Sequence, residues 1–287
     1  MNNETINTQL QAFITAAIRE DVGPGDHTSN ACIPEDHISQ AQLLVKEPGI
    51  LAGVEIARAF FEAYGGPELE FSVHKEDGDA VSVGDIAFIV KCRTRNLLKL
   101  ERSVLNTMQR MSGIATQANR YKFEIEDMNT IILDTRKTTP LMRFLEKQAV
   151  VLGGCTNYRW GLYDRFMIKD NHVDACGGMS KALRKIRIYK AENDLQIPVT
   201  VEVRNLVELH QVLDEGHGIV DRILLDNFEL PLLAEAVATI EDQFETEASG
   251  GITIYNIREY AKTGVQYISV GALTHSVESL DLSLKVI

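Results

Sequence analysis

In the stretch ILDTRKTTP (residues 132–140) two aliphatic residues lead into an acid, and the chain then carries Arg136 and Lys137 side by side. Successive side chains of an extended strand point to opposite faces, so a solvated strand face has no use for both; a strand that stops and delivers two cations at its end has. Similar endings recur: FMIKDNH (166–172) offers Lys169, VTVEVRN (199–205) Glu202, RILLDNF (222–228) Asp226, FETEASGG (244–251) Ser249 with two glycines, and YISVGA (267–272) Gly271. Each has a bland reading, since Asp134 and Asp226 could be helix N-caps and SGG a turn. Together they require too many coincidences. Several cations in a chain of net charge −12 ask for a small, strongly anionic ligand, held by bidentate arginine contacts and a lysine point charge. Ser249-Gly250-Gly251 and Val270-Gly271-Ala272 suit a phosphate bound by bare backbone N–H groups. Glu202 and Asp226 suit either sugar hydroxyls or a hydrated Mg2+, a hard ion that takes oxygen ligands. His172 is readable as a capping or supporting residue as much as a proton-transfer group.

These residues act together only if the strand ends converge. Beyond Asn129 the endings recur every 20–35 residues, with helical text such as NLVELHQVLDEG and NIREYAKTG between them, the rhythm of consecutive βα units. This favours a parallel α/β barrel over a doubly wound sheet; both place function at the carboxyl ends of strands. The first half reads differently. Residues 6–20 have helical spacing and end at DVGPGDHTSN, a turn followed by a loop. From Ala41 to Val90 short apolar runs alternate with turn signals around a helix near Glu55–Tyr64, as in a small α+β domain. Residues 96–127 form one or two helices, with Gly113 as the candidate break.

Composition narrows the function classes. With 287 residues and 45% apolar content the chain can bury a substantial core, while 41 acidic against 29 basic residues and no Lys/Arg run argue against nucleic acid or a membrane surface. The N-terminus lacks a signal-peptide pattern, no stretch approaches the length of a membrane span, and Cys32, Cys92, Cys155 and Cys176 are widely spaced. The expectation is a cytoplasmic protein with reduced thiols and no zinc site.

The chain resembles the quinolinate phosphoribosyltransferase family, through EDVGPGDHTS, ERSVLNTMQRMSGIAT, LDTRKTTP, NYRWGLYD, IKDNH, VEV, LLDN, EASGGI and ISVGALTHS in order. The resemblance implies an α/β fold: an open seven-stranded α/β barrel (residues 113–274) with an N-terminal α+β open-faced sandwich (residues 1–112) completed by a C-terminal tail (275–287). It implies a Mg2+-dependent transfer of phosphoribosyl from phosphoribosyl pyrophosphate to quinolinate, with decarboxylation, in NAD synthesis. Carried over by motif, Arg102, Thr135, Arg136, Lys137, Tyr158, Arg159 and Lys169 bind substrate, with Arg102 reaching in from the other subunit of a homodimer, sometimes a higher oligomer. Lys137, Glu202 and Asp226 are the catalytic set. Glu202 and Asp226 serve the ribose and the metal, directly or through water, and Ser249, Gly250, Gly251, Val270, Gly271 and Ala272 form the phosphate cradle. Tyr158 stands where many relatives carry histidine, and Cys155 where they carry glycine. The alternatives are a related transferase acting on nicotinate without decarboxylation, a barrel aldolase using Lys137 or Lys169 as a Schiff base, and a non-catalytic phosphate-ligand sensor.

Overall fold

The computed structural model describes residues 3–287. The chain runs α1 (Asn3–Val22), α2 (His27–Cys32), β1 (Ile38–Val45), β2 (Gly49–Ile50), α3 (Val54–Tyr64), β3 (Glu70–Val73), β4 (Ala80–Val81), β5 (Ile86–Arg93) and α4 (Thr94–Glu124). It continues through β6 (Ile131–Leu133), α5 (Arg143–Leu152), β7 (Phe166–Ile168), α6 (Asp170–Cys176), α7 (Met179–Glu192), β8 (Val199–Val203), α8 (Leu206–Glu215) and β9 (Arg222–Asp226). The last elements are α9 (Leu230–Ile240), β10 (Glu245–Ser249), α10 (Ile257–Lys262), β11 (Tyr267–Ser269), α11 (Ala272–His275) and β12 (Leu282–Val286). These form two compact units: the chain up to Asn119 with Thr138–Gly154 and Thr274–Ile287, and Arg120–Lys137 with Cys155–Leu273.

The first unit is built on an antiparallel sheet of order β12-β1-β5-β3. Its period-two pattern is plain: Ala41, Leu43 and Val45 on β1 and Phe88, Val90 and Cys92 on β5 are fully buried, while Gln42 and Leu44 between them are half-buried. Phe61 of α3 meets the rings of Phe88 and Phe71 at 6.3 and 5.9 Å, so a helix covers that face. The chain's last strand supplies one edge, pairing from Ala41 with Val286 to Val45 with Leu282. Within the stretch DVGPGDHTSN, read as a turn, His27 begins the short helix α2, because the Asp26 carboxylate accepts the Ser29 N–H at 3.0 Å and caps it. Gly113 does not break α4, which runs 31 residues. A Cβ there would stand 2.1 Å from the Glu278 carbonyl oxygen, so this glycine serves the close approach of another segment. Between α4 and α5, the fully buried Glu146 accepts Arg110 Nε at 2.7 Å and the Thr139 N–H at 3.1 Å. Arg110 also donates to the Thr139 hydroxyl and the Thr274 carbonyl, so the buried charges are well supplied with partners.

The second unit holds a six-stranded parallel sheet of order β6-β11-β10-β9-β8-β7. The place of a seventh strand, beside β6, is taken by one isolated parallel bridge between Leu133 and Thr156. Pairing stops there because the N–H of Tyr158 goes to the Asp134 carboxylate, and those of Trp160 and Gly161 to Asp164. β7 pairs only with β8, so the barrel stays open between the Thr156 segment and β7. All five residues of β8 and four of the five in β9 are buried, as expected of strands covered on both faces. Among the described residues no helix is long and apolar enough to cross a membrane, and all four cysteines are free.

Candidate active site

Parallel pairing lines up the strand ends, with Asp226 opposite Ser249 and Ser269 opposite Leu133, so the residues just beyond each strand gather at one end of the second unit. At the end of β6, Asp134 is fully buried and acts as a clamp. Its N–H donates to the Thr156 carbonyl at 3.1 Å, and its carboxylate accepts the Tyr158 N–H at 2.7 Å. The Thr135 hydroxyl accepts the Lys137 N–H at 3.0 Å and turns the chain, leaving Lys137 exposed and Arg136 half-buried. Arg136 Nε is buried without a hydrogen-bond partner. Arg159, also half-buried, donates from Nη1 to the Arg165 carbonyl. Burial, followed by the like charge of Arg136, pushes the pKa of Arg159 down. An anion between them would relieve both the repulsion and the orphaned N–H.

Lys169, the residue after β7, forms a 2.9 Å ion pair with Glu202 on the neighbouring strand β8. Its N–H donates to His172 Nδ1 at 2.9 Å, closing a capping box on α6. This assigns His172 to capping and fixes Nδ1 as an acceptor.

On the other side, Asp226 at the end of β9 accepts the Ser249 hydroxyl and the Asn227 amide, each at 2.6 Å. Gly250 and Gly251 follow with φ of 94° and 62°, a backbone that side-chain-bearing residues rarely adopt. A Cβ on Gly250 would fall 2.1 Å from Asn227 Oδ1. Gly271 and Ala272 follow β11, whereas Val270 gives its N–H to the Leu133 carbonyl at 2.9 Å and is buried, so it forms wall rather than donor.

Tyr158 turns its phenol to the Thr200 hydroxyl at 2.7 Å, inside the barrel. Arg102 belongs to the first unit, on α4, where its largely exposed side chain pairs with Glu101 at 3.1 Å. Sequence reasoning missed Asp134 as a clamp, Asn227, and the polar barrel interior made by Thr200, Arg222, Glu247 and Ser269, all buried. The available signal was period two: Thr200/Glu202, Arg222/Asp226 and Glu245/Glu247/Ser249 put polar residues at even spacings in strands whose other positions are apolar or small.

An open parallel α/β barrel with clustered cations, two carboxylates and glycine turns at its strand ends is the architecture of a barrel enzyme acting on a small phosphorylated anion. Residues 114–285 match the family described as quinolinate phosphoribosyl transferase, C-terminal domain, and residues 26–112 the corresponding N-terminal domain. The chain is 44% identical over 290 residues to quinolinate phosphoribosyltransferase [decarboxylating] 1b of Nicotiana tabacum, covering 96% of this chain and 82% of that one. It is 38% identical over 278 residues to a probable nicotinate-nucleotide pyrophosphorylase [carboxylating] of Bacillus subtilis, covering 97% and 93%. Among solved structures, the nicotinate-nucleotide pyrophosphorylase of Francisella tularensis superposes with a TM-score of 0.90 at 34% identity, covering 98% and 97%. The chain belongs to the quinolinate phosphoribosyltransferase family and is a pentosyltransferase.

Proposed function

We propose that this enzyme transfers the phosphoribosyl group of phosphoribosyl pyrophosphate to the ring nitrogen of quinolinate, with loss of one carboxylate as CO2, giving nicotinate mononucleotide and diphosphate. The observation that carries this reading is the half-buried pair Arg136 and Arg159, one with an orphaned Nε and the other with a pKa lowered by burial and by the charge of the first, at strand ends that also carry Lys169. That much positive charge in one place suits a diacid better than a monoacid such as nicotinate. In this reading Thr135, Arg136, Lys137, Arg159 and Lys169 hold the two carboxylates, and Ser249, Gly250, Gly251, Gly271 and Ala272 hold the 5′-phosphate. Glu202 and Asp226 face the ribose, where they offset positive charge developing at the anomeric carbon. The cations must hold the retained carboxylate firmly without over-stabilising the ionised form of the departing one.

Mg2+ fits these residues in one form only. Among the described residues no group of three or more His, Cys, Asp or Glu side chains could hold a metal, and Glu202 and Asp226 already accept protein donors. An ion that keeps most of its waters and takes its remaining ligands from one or two carboxylates and a diphosphate is compatible with that set. When bound, it would neutralise charge on the departing diphosphate. We further propose a cytoplasmic homodimer in which Arg102, exposed on α4, completes the partner's pocket.

The deciding experiment is turnover with phosphoribosyl pyrophosphate and Mg2+, offered quinolinate or nicotinate, following CO2 and diphosphate. Release of both with quinolinate and little diphosphate with nicotinate is the expected result. Diphosphate release as fast with nicotinate as with quinolinate rejects the diacid assignment.

A further inference from the structure

Tyr158 is bound on every side by groups that belong to the protein. Its hydroxyl lies 2.7 Å from Thr200 Oγ1. Burial raises the pKa of Glu247 above the ordinary carboxylate value, against the lowering pull of Ser269 and Arg222. Arg222 donates to Glu245 and Glu247 and lies 3.6 Å over the Tyr267 ring and 5.2 Å from the centre of the Tyr158 ring, while the Arg165 guanidinium lies 5.5 Å from it. Arg165 Nη1 donates to Thr200 Oγ1 at 3.1 Å, and the Arg165 carbonyl accepts Arg159 Nη1 at 3.2 Å.

An arginine only donates, so Thr200 Oγ1 accepts from Arg165 Nη1 and also shares a hydrogen bond with the Tyr158 hydroxyl. The chain Arg165–Thr200–Tyr158 ties the loop to the barrel interior. It closes on itself as well, because Arg159 is peptide-bonded to Tyr158 and hydrogen-bonded to Arg165.

We infer that Tyr158 is a positioning residue for quinolinate binding: with Thr200 it forms a strut inside the barrel that fixes the Arg159 guanidinium in the dicarboxylate pocket, and it makes no contact with substrate itself. The strut answers a physical need. Arg159 is half-buried and repelled by Arg136, and one hydrogen bond to a loop carbonyl would leave a long side chain free to swing away. Bracing that loop from the barrel interior presets the pocket before any anion arrives. The inference rests on the quinolinate reading above, and its test separates the two.

Tyr158→Phe deletes only the hydroxyl, Thr200→Val keeps the branched shape without it, and Thr200→Ser keeps the hydroxyl. Steady-state kinetics and calorimetric quinolinate binding are measured for each with the parent, alongside Tm. Tyr158→Phe and Thr200→Val are expected to raise the KM and Kd for quinolinate about fivefold each, the value of one neutral hydrogen bond, with the KM for phosphoribosyl pyrophosphate unchanged. Thr200→Ser is expected to match the parent, and the double variant Tyr158→Phe/Thr200→Val to lose no more than either alone. Parent-like quinolinate affinity in both single variants overturns the strut. A loss in Tyr158→Phe without a loss in Thr200→Val overturns it too, in favour of direct contact between tyrosine and substrate. Should Tyr158→Phe fail to fold, the Thr200 pair still decides. A parent that neither binds nor turns over quinolinate overturns the functional reading itself, and with it the inference.

Discussion

Lys169 and Glu202, at the ends of the adjacent strands β7 and β8, form a 2.9 Å ion pair in which the carboxylate is nearly enclosed and the ammonium half open. The pair holds the lysine in place while leaving two of its three protons for a ligand. Enclosure also makes the partners unequal, since removing the lysine strands a carboxylate that water barely reaches.

Lys169→Ala is therefore expected to lower kcat/KM for quinolinate by about 10–100-fold, the equivalent of roughly 1.5–3 kcal/mol for a charge-assisted contact. Arg136→Ala, which removes the guanidinium with the orphaned Nε, should fall in the same range. Steady-state kinetics together with circular dichroism check this; near-parent kcat/KM in both variants would remove the dicarboxylate pocket from the strand ends.

Gly250→Val tests the opposite side of the site. The position has a φ of 94°, and a side chain there collides with Asn227, whose amide holds Asp226. Backbone strain of about 1–2 kcal/mol alone is worth roughly tenfold, so the KM for phosphoribosyl pyrophosphate should rise by about that factor or more while that for quinolinate changes less. Equal losses for the two substrates contradict the phosphate cradle.

The buried thiols give a pH signature. Burial raises Cys92 to about 11 and Cys155 to about 12, so neither forms a thiolate at pH 8, whereas Cys32 is exposed. Native protein treated with iodoacetamide at pH 8 should carry label at Cys32 and none at Cys92 or Cys155 by peptide mass spectrometry. The linkage sign follows. The unfolded chain releases these protons from an ordinary thiol value near 9.0 upward, before the folded chain does, so stability from both sites is full below pH 9 and declines as pH rises toward 11–12. Cys155→Ala should flatten that decline in Tm, and an unchanged slope would show that the thiol is not enclosed.

The shared-site proposal is tested by complementation. Arg102→Ala and Arg136→Ala are each expected to be poorly active, but a mixed dimer contains one doubly damaged site and one intact site. Random re-association makes about half the dimers mixed, so activity should recover to about a quarter of the parent level. Verified heterodimers without recovery return Arg102 to its surface pair with Glu101.

What the sequence made legible was periodic. The βα rhythm placed Lys169, Glu202, Asp226 and Ser249 at strand ends because each follows an apolar run of fixed period, and the helix expected near Glu55–Tyr64 is α3, Val54–Tyr64. What it concealed was long-range. Nothing local to Tyr158 reveals that Thr200, 42 residues on, meets its hydroxyl, and nothing around Gly113 reveals that the Glu278 carbonyl needs its missing side chain. The seventh strand faded for a related reason: its N–H groups are claimed by Asp134 and Asp164, side chains whose reach is invisible in a hydrophobic pattern.

The pairing of β12 with β1 has a bearing on how the protein is made. A ribosome delivers β1 long before Leu282–Val286, with all of the second unit made in between, so for that interval β1 has one neighbour, β5, and one bare edge. An unpaired edge is a template for strands of other chains, and here it stays open while the second unit is translated. The sheet of the first unit is therefore finished only after the second unit has been made.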